Sequence, residues 1–173
     1  ILPMSDNLVS TKIKTSDSKL LDFQEYFVEL KSEPKISDVI YLESEKADIT
    51  KEVSNALDQA DKIVVGPSNP ILSIGPILAI QNLKEKLTNS SSTYVVSPFI
   101  ENKAIKGPSK KNFEDLGYKS DITGIKEFYN NIGNYYIVQS GDTDKAENTI
   151  EKNILFKSTE DSTNLARYIV DHE

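Results

Sequence analysis

The chain has no cysteine and no tryptophan, a single histidine, His172, and a single arginine, Arg167. Each shortage removes a class of chemistry. Without cysteine there is no disulfide, no thiolate nucleophile and no cysteine-ligated metal. One histidine next to the C-terminus rules out a His-based zinc site by count and argues against a Ser-His-Asp or Cys-His mechanism. With one arginine, any phosphate site must use lysine as a point charge together with backbone amides, not an arginine fork. No apolar run approaches the ~20 residues that span a bilayer. No basic segment followed by an apolar one marks a signal peptide, and the lack of cysteine fits the cytoplasm. Neither a Walker motif nor a GxGxxG is present.

The bulk numbers describe a globular chain. It has 173 residues, 38% hydrophobic and 27% charged, with a mean hydropathy of −0.41. That is enough for one domain with a substantial core. Net charge is −7, with acids and bases interspersed, so non-specific nucleic-acid binding is not expected. The chain begins at Ile1, and Ile1-Leu2-Pro3-Met4 reads as the end of a strand. The expectation is a fragment whose earlier part is missing.

The most informative stretch is Gly66-Pro67-Ser68-Asn69-Pro70-Ile71-Leu72-Ser73-Ile74-Gly75-Pro76. It follows the apolar Ile63-Val64-Val65 and precedes an apolar-periodic run through Leu87. A buried strand thus ends in a stiff loop of small and hydroxylic residues, and a helix opens after it. Backbone N–H groups and a helix dipole meet anions in that geometry, and ligands of open α/β sheets sit beyond the carboxyl ends of strands. Gly66 permits close approach of a ligand to the backbone, and Pro67 and Pro70 fix φ. Ser68, Asn69 and Ser73 offer hydrogen bonds, with Ser73 the expected N-cap and Pro76 in the first turn. The plainer alternative is a well-capped βα turn. Glycine, proline and polar groups are denser here than a turn requires, so a phosphate site is the stronger reading.

Other segments carry weaker signals. Ser5-Asp6-Asn7 follows the apparent strand end. Ser5 can donate to phosphate and Asp6 can orient a hydroxyl or assist a metal, but an Asx-type turn explains both more simply. Phe23 and Phe27 read as core, while Gln24 and Glu25 flank that face, where a cleft-facing role and a plain surface role are equally open. Lys106-Gly107-Pro108 enters a helix and makes Lys106 a second phosphate candidate, with Lys110 and Lys111 on a solvated helix start. Asp115 and Asp121 read as surface.

The periodicities predict a helix over 20–32 stopped by Pro34 and a strand at 39–42. A helix capped by Thr50 follows, then a strand at 62–66, a helix at 75–87 and a strand at 93–97. Helices come next at 108–116 and 123–131, then a strand at 135–139, a helix at 142–151 and a strand at 153–157. A last helix over 160–172 is capped by Ser158 or Thr159. The fold class is α/β: a single domain with a mainly parallel, Rossmann-like sheet flanked by helices, and a small helical insertion at about 16–38.

Several segments together resemble the 2-phospho-L-lactate transferase (CofD) family. They are Leu2-Pro3-Met4-Ser5-Asp6, Phe23-Gln24-Glu25-Tyr26-Phe27-Val28, Ala60-Asp61, Gly66-Pro67-Ser68-Asn69-Pro70, Ser73-Ile74-Gly75-Pro76-Ile77-Leu78, Val96-Ser97-Pro98, Lys106-Gly107-Pro108 and Tyr129. Gluconeogenesis factor-like proteins of the same superfamily are similar around Leu2-Pro3-Met4. They carry a Gly-Pro-Gly-Ser type of loop and lack the Phe-Gln-Glu-Tyr segment, so this chain sides with the transferases. The resemblance implies a reaction in coenzyme F(420) biosynthesis. A phospholactyl or related phospho-three-carbon-acid group passes from a guanosine diphosphate-activated donor to the deazaflavin Fo, and GMP leaves. It implies Mg²⁺ with ligands outside this chain, phosphate contacts at Gly66, Ser68, Asn69, Ser73 and Gly75 with Ser5, Asp6 and Lys106 nearby, and a homodimer as one possible assembly. The family's glycine-rich N-terminal loop and early acidic and lysine residues precede Ile1, so the chain alone is expected to be inactive. The rival reading is a non-catalytic regulator that binds a nucleotide or nucleotide sugar.

Overall fold

The computed structural model describes residues 1–100, 107–130, 132–142 and 146–172, together with the backbone of Lys103 and Ala104. Its centre is a four-stranded parallel sheet of order β4-β5-β8-β9, formed by Ile63–Val65, Thr93–Val96, Tyr135–Gln139 and Thr149–Lys152. Among the described residues β4 is an edge strand, where Val64 is half-exposed, while Phe99–Ile100 (β6) and Lys103–Ala104 (β7) pair antiparallel as a separate two-stranded sheet.

The inner strands bury both faces, and alternation sorts their side chains. Tyr94, Val96 and Ile137 face Leu165 and Ile169 of the last helix, α6 (Thr159–Asp171). Val95, Tyr136 and Val138 face the larger core with Phe113 of α4 (Ser109–Asp115) and Ile125 and Tyr129 of α5 (Ile122–Tyr129). A third cluster joins α1 (Lys51–Gln59) to α3 (Gln81–Asn89) through Val53, Leu57, Leu83 and Leu87.

Expected caps are in place. Thr50 accepts the Val53 N–H. Ser158 and Asp161 cap α6 reciprocally. Asp121, read as surface, is the N-cap of α5 and accepts from Thr123 and Gly124. Asp115 also has a structural task. It accepts the Ile36 N–H at 3.0 Å and the Lys111 ammonium at 2.7 Å.

The structure departs from expectation in several places. The helix predicted over 20–32 shrinks to a short turn at Glu25–Glu29. The surrounding segment belongs instead to an antiparallel sheet of order β2-β1-β3, made of Ser10–Thr15 (β1), Leu20–Asp22 (β2) and Ile36–Leu42 (β3). The Asp17-Ser18 turn, with Ser18 left-handed, folds Leu20 and Leu21 back onto Lys14 and Ile13, and pairing overrides the helical spacing. The helix expected at 75–87 breaks into α2 (Gly75–Leu78) and α3. Of the helix expected at 142–151, residues 143–145 lie outside the described residues, and its end is instead β9, which stands in place of the strand expected at 153–157. Residues 1–4 form no strand, and Ser5 makes a single bridge with Ile49. Among the described residues no helix is long and apolar enough to cross a membrane.

Candidate functional site

β4 and β5 end side by side, and their carboxyl-end loops open onto a cleft of about 290 Å³. One wall is the loop after β4, with Pro67, Ser68, Asn69, Leu72 and Ser73. The second is Pro98 after β5 with Gly107, Pro108 and Ser109. The third is the aromatic turn, with Phe23 and Phe27. The two phenyl rings stack, with centroids 5.4 Å apart and planes 16° from parallel. Phe27 is 43% exposed, so the core reading fails for it, while Phe23 both lines the cleft and touches the core. Gln24 and Glu25 do not line the cleft.

The loop after β4 is built differently from expectation. Asn69, not Ser73, is the N-cap. Its Oδ1 accepts the N–H groups of Ile71 at 3.0 Å and Leu72 at 3.1 Å, and Pro70 takes the first helical position. Pro70–Ile74 is a π-helical turn that runs directly into α2. The Ser68 N–H is held by the Gly66 carbonyl at 2.8 Å. Three amides expected to cradle an anion are therefore already partnered within the loop. The hydroxyls are not: those of Ser68 and Ser73 make no hydrogen bond to any described residue, and both residues are exposed. Two hydroxyl donors, not a nest of amides, are what this wall presents.

The remaining candidates fall on both sides of that boundary. Gly66 is exposed, and a Cβ there meets no atom within 4 Å, so open space above the strand end is what its missing side chain leaves. Gly75 is buried and outside the cleft. A Cβ at that position lies 2.6 Å from Cζ of Tyr41, so glycine serves helix–strand contact, not ligand binding. The Tyr41 hydroxyl donates to the Ile71 carbonyl at 2.6 Å, and burial pushes its phenol well above the ordinary range. Ser5 is occupied in a turn: it accepts the Asn7 N–H at 3.0 Å and donates to the Asp48 carbonyl at 2.6 Å. Asp6 is exposed beside it, and neither lines the cleft. Lys106 lies outside the described residues, but its neighbours Gly107 and Pro108 reach the cleft. The signals that pointed to Asn69 as cap and to Phe27 as a wall were in the sequence: an Asn-Pro pair at a helix start, and two phenylalanines one turn apart.

The described donor set of the cleft does not suit a divalent cation. Among the described residues no carboxylate lines it, and no group of three acidic or histidine side chains comes together. His172 packs elsewhere, with Nδ1 2.7 Å from the Tyr94 hydroxyl and its ring against Tyr135 and Tyr168.

Fold and cleft together define a class: an α/β protein with its pocket at the carboxyl edge of a parallel sheet, floored by hydroxyls and walled by aromatic rings and prolines. The family profile described as 2-phospho-L-lactate transferase CofD matches residues 1–168, and the chain belongs to that family. The 2-phospho-L-lactate transferase of Methanococcus vannielii is 36% identical over 99% of this chain and 57% of its own length. That of Methanocaldococcus jannaschii is 35% identical over the same shares. The chain therefore spans little more than half the length of these relatives. Among solved structures, protein BH3568 of Bacillus halodurans superposes with a TM-score of 0.68 at 14% identity, covering 98% of this chain and 61% of that one. A second structure of that protein, described as a member of the upf0052 family, gives 0.55 at 17% identity over 83% of this chain and 44% of that one. These likenesses establish the fold alone.

Proposed function

We propose that this chain forms the donor-phosphate part of a 2-phospho-L-lactate transferase. The donor is a phospho-three-carbon acid activated by guanosine diphosphate linkage, and the acceptor is the 5′-hydroxyl of the deazaflavin Fo. A new bond forms between that oxygen and the phosphorus bearing the acid. The bond from that phosphorus to GMP breaks, GMP leaves with the bridging oxygen, and the hydroxyl proton passes to solvent or a base. Such transfers depend on positioning and charge stabilisation more than on a covalent nucleophile, which suits a chain with no cysteine and one remote histidine.

The observation that carries the reading is the pair of unpartnered hydroxyls, Ser68 and Ser73, exposed in a cleft at the ends of two parallel strands. Hydroxyls donate well to phosphate oxygens, and the Phe23–Phe27 stack offers a flat apolar wall to a ring. Gly66 leaves room for a phosphate above the end of β4. The cleft's described residues provide donors and apolar walls but no carboxylate or imidazole to accept a proton. We therefore expect this chain alone to bind donor without turning it over, and any Mg²⁺ ligands to lie outside it. A cytoplasmic site of action goes with this proposal.

Calorimetric titration with GDP tests it. A hydrogen bond to a charged phosphate contributes about 1.5–3 kcal/mol, so Ser68→Ala and Ser73→Ala should each weaken GDP about tenfold or more. Unchanged affinity in the double variant refutes the assignment, and turnover by the chain alone refutes the expected inactivity.

A further inference from the structure

Three side chains, two of them fully buried and Asn69 half-buried, connect two walls of the cleft. Asn69 Nδ2 donates to Asn112 Oδ1 at 3.1 Å, Asn112 Nδ2 donates to the Tyr26 hydroxyl at 2.7 Å, and that hydroxyl donates to the Ser32 carbonyl at 3.2 Å. Tyr26 and Asn112 are fully buried.

The direction of this chain is set at one end. The Ile71 and Leu72 N–H groups can only donate, so the oxygen of the Asn69 amide must face them and its nitrogen must face Asn112. Asn112 then presents its own oxygen to Asn69 and its nitrogen to Tyr26. The tyrosine oxygen accepts, and its proton has one remaining acceptor, the Ser32 carbonyl. Each group has a single orientation that satisfies its neighbours, and in a buried chain an unsatisfied member is costly.

Both ends of the chain matter to the cleft. At one end stand the capped amides of the Ser68–Ser73 wall. At the other stands the turn from Phe23 to Phe27, closed by Lys31 and Ser32, which both hold left-handed backbone (φ 49° and 58°). Neither residue is a glycine, and such backbone persists only where its surroundings hold it. The Tyr26 carbonyl accepts the Ser32 N–H at 2.9 Å while the Tyr26 hydroxyl holds the Ser32 carbonyl, so Tyr26 grips both sides of that residue.

We propose that Tyr26 and Asn112 are positioning residues that join the aromatic wall and the hydroxyl wall of the cleft into one unit, so that ordering of one wall is transmitted to the other through Asn69. The inference deepens the proposed function, since it assigns these residues to the same site, but its main test needs no ligand.

Site-resolved amide exchange on the full chain is the measurement. Tyr26→Phe removes one hydroxyl and keeps the ring. Exchange at Ile71 and Leu72, in the opposite wall, should rise about three- to tenfold relative to Val95 and Ile137 in the sheet, as expected for one hydrogen bond. Tyr129→Phe, a hydroxyl deletion in the same core outside this chain of bonds, should leave that ratio unchanged. Asn69→Asp tests the opposite direction. Its carboxylate still caps Ile71 and Leu72 but repels Asn112 Oδ1. Asn112 then reverses, Tyr26 turns its proton to Asn112, and the Ser32 carbonyl is orphaned, so exchange at Ser32 should rise. Both selective rises are required. A uniform change, or no change, at either end overturns the proposal. Titration with inorganic pyrophosphate separates this inference from the functional reading. If the wild type fails to bind it, the phosphate reading falls and exchange alone decides the coupling. If it binds, Tyr26→Phe should weaken it about three- to tenfold while Tyr129→Phe does not, and equal affinities overturn the proposal.

Discussion

Gly75→Ala sets two opposing effects against each other. Gly75 opens α2, so by helix propensity alone alanine stabilises by about 0.5–1 kcal/mol. The site opposes it: the new Cβ falls 2.6 Å from Cζ of Tyr41, closer still to its hydroxyl oxygen, and 3.2 Å from the Pro70 carbonyl. Tyr41 must swing away and give up its 2.6 Å bond to the Ile71 carbonyl. Overpacking costs about 1–3 kcal/mol and the lost bond about 0.5–1.5 kcal/mol. The clash wins, and the net loss should be about 1–3 kcal/mol in urea unfolding, read as a lower midpoint at constant slope. Tyr41→Phe removes the hydroxyl that the methyl strikes. In that background Gly75→Ala should cost about 1 kcal/mol less than in the wild type, a coupling that a double-mutant cycle reads directly. Additive losses, or a Gly75→Ala change within 0.5 kcal/mol of zero, would falsify the account of this contact.

Three further outcomes are expected. Asn69→Ala removes the cap on Ile71 and Leu72 and orphans Asn112 Oδ1, so urea unfolding should show a loss of about 2–4 kcal/mol; a loss under 1 kcal/mol contradicts the assigned bonds. Asp115→Ala strands the buried Ile36 N–H and should cost about 1–3 kcal/mol, with partial recovery in Asp115→Asn, whose amide oxygen still accepts; equal losses in both variants count against it. Asp161, held below the ordinary carboxylate range by N–H groups of Lys157 and Ser158 and by the Ser158 hydroxyl, stabilises α6 in its charged form. Its contribution is complete above the ordinary carboxylate value and disappears as pH falls through the lower folded value. Helicity followed by circular dichroism from pH 7 to 2 should therefore show a smaller acid loss in Asp161→Ala, and superimposable wild-type and variant curves sink the idea.

Local chemistry made much of this fold readable. Thr50 and Ser158 announced their helices because each is followed by an apolar-periodic run, and β5 and β8 announced themselves as apolar runs between polar turns. The errors occur where partners distant in sequence decide. Leu20, Phe23, Phe27 and Leu30 are spaced for a helix, yet Leu20 and Leu21 pair with β1 because the Asp17-Ser18 turn brings them there. Around β9, pairing with β8 outweighs a helical spacing. At the cleft, the loop after β4 was legible as a site, but its division of labour was not. Ser73 competes with Asn69 as a cap, and only the Pro70 beside Asn69 tips the choice. The Asn112–Tyr26 link joins residues 86 positions apart and leaves no local mark.

The rim at β4 has a practical consequence for anyone handling these 173 residues by themselves. Among the described residues its outer backbone groups have no neighbour in the sheet, and Val64 adds an apolar side chain beside them. Concentrated samples should therefore self-associate rim to rim, two copies of β4 pairing antiparallel across a twofold axis. A lysine at position 64 should keep such samples monodisperse in sedimentation, and doing so should leave the cleft untouched, since Val64 lies outside it.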